Sequence, residues 1–433
     1  MLELLLYMLG GLGIGVMSGL LPALPTYTAP FLLYQMHSGM KIEEMLVFWL
    51  TAYFGSQFFG SIATITTHIP GEESALIYLD DLKDFSLTEK NHLLYDTALS
   101  SWFAATASVI LVWIFISFIT IDDIIWIQSS IAQFLIFGTL VLSFILLSKK
   151  KWVTFAIVLF GLSLAPKNNY ALPPLWYDWQ WLFHGYTFYL IILGTLVIPM
   201  LFDYDVNHDH DDDKFKVKPS RLFAWADTVK ASALGFVCGL VPGPSASIGS
   251  ISAYRTIGKN KKQKIIAAEA ANNSAIIASL IPFMVMMLPI NAGAIIMSSI
   301  MDMQGLEMAE VVLEESSYLS DVRVIDFVLG LMLGITVLYY FLATKLIDFY
   351  VTVIKLLHGK IKLVLVSIVG LLVYIDITNA EITPLHYAGL LVFFTLIGLY
   401  LKKKDISAVP LMFTVLLGDK LIWASIATFN LYF

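Results

Sequence analysis

Charge is scarce in this chain: Asp, Glu, Lys and Arg make up 14% of 433 residues, against 58% hydrophobic residues and a mean hydropathy of +0.79. A soluble domain carries about 25% charged residues, so too little polar surface is available here to coat a globule in water. Cysteine is nearly absent. The single Cys238, set in an apolar run, excludes an intramolecular disulfide and says nothing about compartment. No Walker loop, zinc signature or nucleophile elbow is present, which argues against ATP-driven work by this chain alone and supplies no resident metal or other cofactor. Polar gaps long enough for a soluble domain are missing as well, and the charge pattern offers no surface for nucleic acid. The first segment, 2–21, has no basic leader and no small-residue cleavage site, so it is expected to be retained, with the mature protein starting at Met1.

What the chain does contain is a series of apolar segments of about 20 residues, the length needed to cross the hydrocarbon of a bilayer. Spans are expected near 2–21, 45–68, 95–119, 124–147, 152–165 and 182–202, and again near 223–241, 264–288, 323–343, 361–379, 385–401 and 407–431. Two further apolar pieces, 23–37 and 244–257, are too short to cross and are read as re-entrant half-helices. The expected fold is therefore an all-α polytopic membrane protein, with membrane lipid as its solvent.

The chain also repeats itself. Gly15-Val-Met-Ser-Gly19-Leu-Leu-Pro22 is answered 220 residues later by Gly235-Phe-Val-Cys-Gly239-Leu-Val-Pro242, and Ile69-Pro70-Gly71 is answered by Leu288-Pro289-Ile290 at an offset of 219. Each copy opens on a long apolar segment broken by proline. This divides the chain into repeat 1 (1–202), a charged linker (203–222) and repeat 2 (223–433). Within the linker, Asn207-His-Asp-His-Asp-Asp-Asp213 is dense in potential metal ligands, but its composition is that of a solvated connection.

Loop charge gives an orientation. Basic residues cluster at 149–151, 214–221, 255–264, 345–362 and 402–404, and acidic, Lys-poor gaps lie between them at 120–123, 302–321 and 376–381. With the basic clusters in the cytoplasm, the second hairpin (223–257) has both ends inside and the first (2–37) both ends outside, so the repeats are inverted and the termini lie outside. Segment 152–165 must cross for this parity to hold. Inverted repeats with broken helices are the architecture of secondary transporters, whose substrates bind near the midplane.

The breaks carry the candidate chemistry. Pro22, Pro25, Pro70, Pro242, Pro244 and Pro289 remove backbone donors and interrupt helices at membrane depth. A half-helix starting near Ser245 would aim free N–H groups and a partial positive charge at an anion, with Gly243 and the Ser245 and Ser247 hydroxyls beside them; a kink whose serines bond back to their own helix is the alternative. On the next span, Glu269, Asn272 and Asn273 share one helical face, and ionisable or amide groups at such depth mark ion or substrate paths; amide pairing between helices, or an interfacial ion pair for Glu269, is the competing role. The first-half counterpart is read as the stretch 53–61, where Gly55, Ser56, Gln57 and Ser61 replace the acidic and amide groups, followed by Thr64 and His68; Thr26 and Thr28 follow the first break. Small residues there suit packing, and hydroxyls suit a carboxylate or Na⁺. The aromatic run 176–181 fits an interfacial belt.

The succession Gly-x3-Gly-x2-Pro-Gly (235–243), a basic turn, Glu269-x2-Asn272-Asn273 and a Pro-bearing segment, with its duplicate at 15–22, 53–56 and 69–71, resembles the large membrane subunit of tripartite tricarboxylate transporters, the TctA family. Likeness is clearest over 10–110 and 230–300. The first hairpin departs from the family pattern, with Pro22-Ala-Leu-Pro25-Thr26-Tyr27-Thr28 where further glycines are usual, and Ile290 follows Pro289 in place of Gly. The resemblance implies a permease of the prokaryotic-type cytoplasmic membrane that carries citrate-like or other small carboxylates, driven by Na⁺ or H⁺. A small membrane subunit and an extracytoplasmic binding protein would be its partners. On this reading Gly243, Ser245, Ser247, Asn272, Asn273, Thr26, Thr28, Ser56 and Ser61 hold substrate, while Glu269, Asn273 and Thr64 serve the coupling ion. A channel using the same hairpins, a membrane scaffold and an intramembrane enzyme enlisting Glu269, His68 and Asp227 are the alternatives; the last has no paired motif to support it.

Overall fold

The computed structural model describes residues 2–20, 40–67, 73–120, 129–148, 150–164, 188–199, 217–219, 223–241, 245–286, 314–345, 361–379, 382–404 and 408–432, with isolated positions between. Pro22, Pro25, Thr26, Thr28, His68, Pro70, Pro242, Gly243, Pro244, Pro289, the acidic linker and the aromatic run 176–181 lie outside the described residues. Fourteen helices are found among those described: α1 (Leu2–Leu20), α2 (Ile42–Thr67), α3 (Leu87–Ser117), α4 (Ser130–Leu147), α5 (Lys151–Leu164), α6 (Phe188–Ile192), α7 (Trp225–Gly239), α8 (Ser245–Thr256), α9 (Lys261–Ala278), α10 (Leu280–Met286), α11 (Val324–Lys345), α12 (Ile361–Asn379), α13 (Pro384–Lys403) and α14 (Val409–Tyr432). No strand forms among them, and six stretches are long and apolar enough to cross a membrane. The expected all-α polytopic class is the observed one.

The helices cluster into two compact units, each drawing on both halves of the chain. Unit 1 takes 1–119, 205–287 and 304–361; unit 2 takes 120–204, 288–303 and 362–433. Unit 2 is built on an apolar cluster of Leu164, Leu190, Ile191, Tyr387, Leu390, Phe394, Leu411 and Val415. Its one strongly buried acid, among the described residues, is Asp376, which accepts a 2.5 Å hydrogen bond from the Tyr387 hydroxyl. Lys151–Leu164 forms a helix of 14 residues, about 21 Å at 1.5 Å per residue, shorter than the hydrocarbon core.

Unit 1 contains the packing repeat. A Cβ added at Gly15 would meet the Ala52 backbone, and one at Gly19 the Ser56 carbonyl and Phe59; at Gly235 it would meet the Ala271 backbone, and at Gly239 the Ala275 carbonyl and Ala278. The two contact sets superpose at an offset of 220 on the first helix and 219 on the second, the same offsets that the sequence motifs carry. Backbone against backbone is possible only because glycine has no side chain at the crossing. Contacts also advance together along each pair: Gly11 to Phe48, Gly15 to Ala52 and Gly19 to Ser56, then Gly235 to Ala271 and Gly239 to Ala275, so α1 runs parallel to α2 and α7 parallel to α9.

Between α7 and α9, helix α8 runs the other way. Gly249 of α8 lies against Ala271, Ala275 and Gly235, while Tyr254, further along, sits beneath the Lys264 ammonium at 5.7 Å. The start of α7 and the end of α8 are therefore at the level where α9 begins, the geometry of a hairpin that enters and leaves by one face. At 12 residues, α8 is about 18 Å long and cannot cross. Gly258, with φ +87°, turns the chain from α8 into α9.

Overpacking tests this arrangement. Gly235→Ala forces a methyl into the Ala271 carbonyl and is expected to cost about 1–3 kcal/mol, whereas Gly13→Ala, with nothing within 4 Å of its Cβ, is expected to be neutral. Thermal midpoints of the two purified variants check it; equal midpoints would contradict the crossing.

Candidate functional site

Helix α9 is buried on every side from Ile265 to Ala278. A surface helix keeps one polar face for water; this one has none, so each of its polar side chains must find a partner in protein or a ligand. Its neighbours are α7, α8, α3, α2 and the short 3₁₀ segments Glu73–Ile77 and Asp81–Asp84 that follow α2.

Glu269, Asn272, Asn273 and Ser274 are each fully buried. They point to different partners. Glu269 accepts from the Tyr78 hydroxyl through Oε1. Asn272 Nδ2 faces Gln57 Oε1 of α2 at 3.5 Å, while Asn273 Nδ2 donates to Ser101 Oγ of α3 at 3.0 Å and to its own Glu269 carbonyl at 2.9 Å. Ser274 donates to the Ser232 carbonyl at 2.7 Å and shares a 2.7 Å hydrogen bond with Ser108, tying α9 to α7 and α3. Once these bonds are made, Glu269 Oε2 and Asn273 Oδ1 are still without a hydrogen-bond partner among the described residues, as is Ser56 Oγ on α2. No basic side chain pairs with Glu269 among them either.

The other expected site residues divide. Ser245 opens α8 where the half-helix was expected and is 3% exposed; Ser247 is half-buried. Ser61 and Thr64 are buried on α2, but each hydroxyl bonds back to its own helix, Ser61 to the Phe58 carbonyl at 3.0 Å and Thr64 to the Gly60 carbonyl at 2.9 Å. Asp227 lies in the first turn of α7, half-buried. The packing offset of 219 refines the correspondence between the copies: Glu269, Asn272 and Asn273 answer to Leu50, Tyr53 and Phe54, not to the Gly55-Ser56-Gln57 stretch. The first copy thus puts aliphatic and aromatic side chains where the second puts a carboxylate and two amides.

Sequence reasoning missed several contributors. Tyr78 and Ser101 reach α9 across 191 and 172 residues of sequence, and neither lies in a repeated motif. A usable signal was present in the stretch Tyr78-Leu-Asp80-Asp81-Leu-Lys-Asp84, polar and too short to span, directly after the Ile69-Pro-Gly break. It lies as a strap across α8 and α9. Ser250 Oγ approaches the Ser74 carbonyl at 3.4 Å, the Tyr254 hydroxyl donates to Asp81, and Lys261 Nζ pairs with Asp81 at 2.9 Å and Asp84 at 2.6 Å. Partial burial raises the Asp81 carboxyl, but hydrogen bonds from Tyr254 and Lys261, with the Lys261 and Lys264 charges, outweigh it and hold the group below its ordinary value. The strap contact therefore contributes fully above the usual carboxylate range and is lost only as pH falls through the lowered value. Nearby, Asp96 of α3 pairs with Lys262 at 2.7 Å.

Among the described residues no group of three His, Cys, Asp or Glu side chains converges. The oxygens that do converge on α9 are hard donors of the kind that suit alkali cations, protons and hydrogen-bonding substrates. Comparison with curated proteins finds no match, and neither does comparison with solved structures. The profile described as "Tripartite tricarboxylate transporter TctA family" matches residues 5–413, nearly the whole chain. The chain belongs to that family and is thereby an integral membrane component of a tricarboxylate transport system.

Proposed function

We propose that this chain is the permease subunit of a secondary-active system, which binds a small di- or tricarboxylate beside α9 and moves it by alternating access, coupled to Na⁺ or H⁺. The observation that carries the reading is the pair of buried acceptors, Glu269 Oε2 and Asn273 Oδ1, with no hydrogen-bond partner among the described residues. An unpaired buried polar atom costs about 1–3 kcal/mol, which a ligand would offset. Carboxylate and amide oxygens fit a cation: Glu269 and Asn273 would hold Na⁺, or Glu269 a proton, and the bound cation would supply positive charge for a carboxylate substrate where, among the described residues, no Lys or Arg pairs with Glu269. Substrate oxygens would be met by Ser245, Ser247, Gly243 and the free N–H groups at the start of α8, where the helix dipole is positive. Asn272 would line the same side, and Ser56, Ser61, Thr26 and Thr28 would be the first copy's contribution to binding. The Thr64 bond to its own helix favours a packing role over coupling, and Ser61 would have to release its own such bond to donate to substrate.

Opposed orientation of the copies is part of this reading. It is supported by α11, the first span after the second copy's broken region, which runs antiparallel to α3, its equivalent after the first: Tyr95 meets Tyr340, Thr106 meets Thr336 and Trp113 meets Asp326. The termini would then lie outside, and a small membrane subunit and an extracytoplasmic binding protein would deliver substrate to that face, as the family's tripartite organisation implies.

Asn273→Ala is expected to abolish substrate-dependent uptake of labelled citrate-like acids by cells carrying the full transport system, without reducing membrane insertion. Normal uptake by that variant would remove the site assignment. Glu269→Gln, isosteric but uncharged, is expected to lose cation dependence: the half-saturating Na⁺ concentration, or the response to a proton gradient, should shift by at least about tenfold (1.4 kcal/mol per decade), and an unshifted response would remove the coupling role.

A further inference from the structure

Strap Glu73–Asp84 is held to the second copy at three points. At its base the Tyr78 side chain, fully buried, places its hydroxyl on Glu269. At a similar depth, the Ser74 carbonyl faces Ser250, itself fully buried on α8. At the rim, Asp81 and Asp84 grip Lys261 and Tyr254. These contacts differ in kind. The base is a neutral donor on a buried carboxylate, whereas the rim is an ion-pair cluster whose Lys261 and Asp84 side chains are 52% and 66% exposed. The Lys261–Asp84 pair, exposed at both ends, is weak and readily exchanged with water, while Asp81, 18% exposed, is held more firmly; the strap is thus anchored on the carboxylate that a ligand at Glu269 would also bind, and latched by contacts nearer to water.

We propose that Glu73–Asp84 is a gate over the α8–α9 face of the site, in which Tyr78 positions Glu269 while the gate is shut and the Lys261 cluster latches its outer edge. This rests on the reading of Glu269 as lining the path. A cation arriving at the free Glu269 Oε2 draws charge from the carboxylate and weakens the Tyr78 hydrogen bond on Oε1, and substrate entering beside α8 must pass where the Ser74 carbonyl covers Ser250. Tyr78 is thus a positioning residue that acts through Glu269, and Lys261 is a latch outside the binding site.

The labelling arm of the test needs no substrate. In the full chain with Cys238→Ala, Ser250→Cys is a nearly isosteric reporter beneath the strap, and its rate of alkylation by a water-soluble maleimide reads gate opening in purified, monodisperse protein. Lys261→Glu, which sets like charge against Asp81 and Asp84, is expected to accelerate labelling at least tenfold. Lys261→Arg keeps the charge and is expected to leave the rate unchanged, and the double variant Asp81→Asn with Asp84→Asn should unmask the reporter without introducing repulsion. Tyr78→Phe should raise the labelling rate and also shift the half-saturating Na⁺ concentration for uptake downwards, a change that loss of packing alone does not produce. Equal labelling in the wild-type, Lys261→Glu and double-Asn backgrounds would overturn the gate. If Lys261→Glu unmasks the reporter while Asn273→Ala transports normally, the gate stands and the carboxylate site falls; the reverse pair of results keeps the site and removes the gate.

Discussion

In hydrocarbon, helices gain little from setting one apolar side chain against another, so tight association rests on how closely their backbones approach. Unit 1 depends on that constraint. Gly235 and Gly239 bring α7 onto the backbone of α9, and Gly15 and Gly19 do the same for α1 on α2. With α7 so close on one side and α8 against Ala271 and Ala275 on another, α9 has no face left for lipid or water. Its Glu-Asn-Asn-Ser run is consequently buried whole, and every oxygen on it becomes a demand that the protein or a ligand must meet. The glycine crossings are what leave this polar stretch without an exposed face.

Duplication and asymmetry then divide the labour. Both copies reproduce the same crossing at the same offsets, yet the positions that carry Glu269, Asn272 and Asn273 in the second carry Leu50, Tyr53 and Phe54 in the first. Around those first-copy positions, Tyr339 packs among Phe54, Phe58 and Phe59 and donates its hydroxyl to the Thr51 carbonyl. One copy is thus consolidated by aromatic packing and the other left with polar groups to satisfy.

Much of this was legible in the sequence because the membrane narrows the possibilities. Apolar length placed the helices, including the 12-residue α8 that begins at Ser245, since proline and glycine at membrane depth leave few other options. The repeat was visible because the glycines that permit each crossing cannot be exchanged for larger residues. Other features were not legible for equally physical reasons. Tyr78, Ser101 and Ser232 meet α9 across long stretches of chain, and a single hydrogen bond across helices leaves no periodic trace. Nor does sequence reveal that the Ser61 and Thr64 hydroxyls turn back onto their own helix, because the same residue spacing serves packing and binding alike. The expected counterpart stretch 53–61 contains Tyr53 and Phe54 but draws its polar residues from Gly55-Ser56-Gln57, which look more like equivalents of a carboxylate and two amides; the contacts of Gly15 and Gly19 show which positions correspond.

The central claim is that the buried oxygens of α9 are where the ligand binds. A cryo-electron microscopy map of the purified chain equilibrated with citrate and Na⁺, compared with a map in N-methylglucamine without citrate, addresses it most directly. The account predicts new density within hydrogen-bonding distance of Glu269 and Asn273, extending toward the start of α8 at Ser245. Citrate density at another place, with the α9 oxygens unchanged between the two maps, would contradict it.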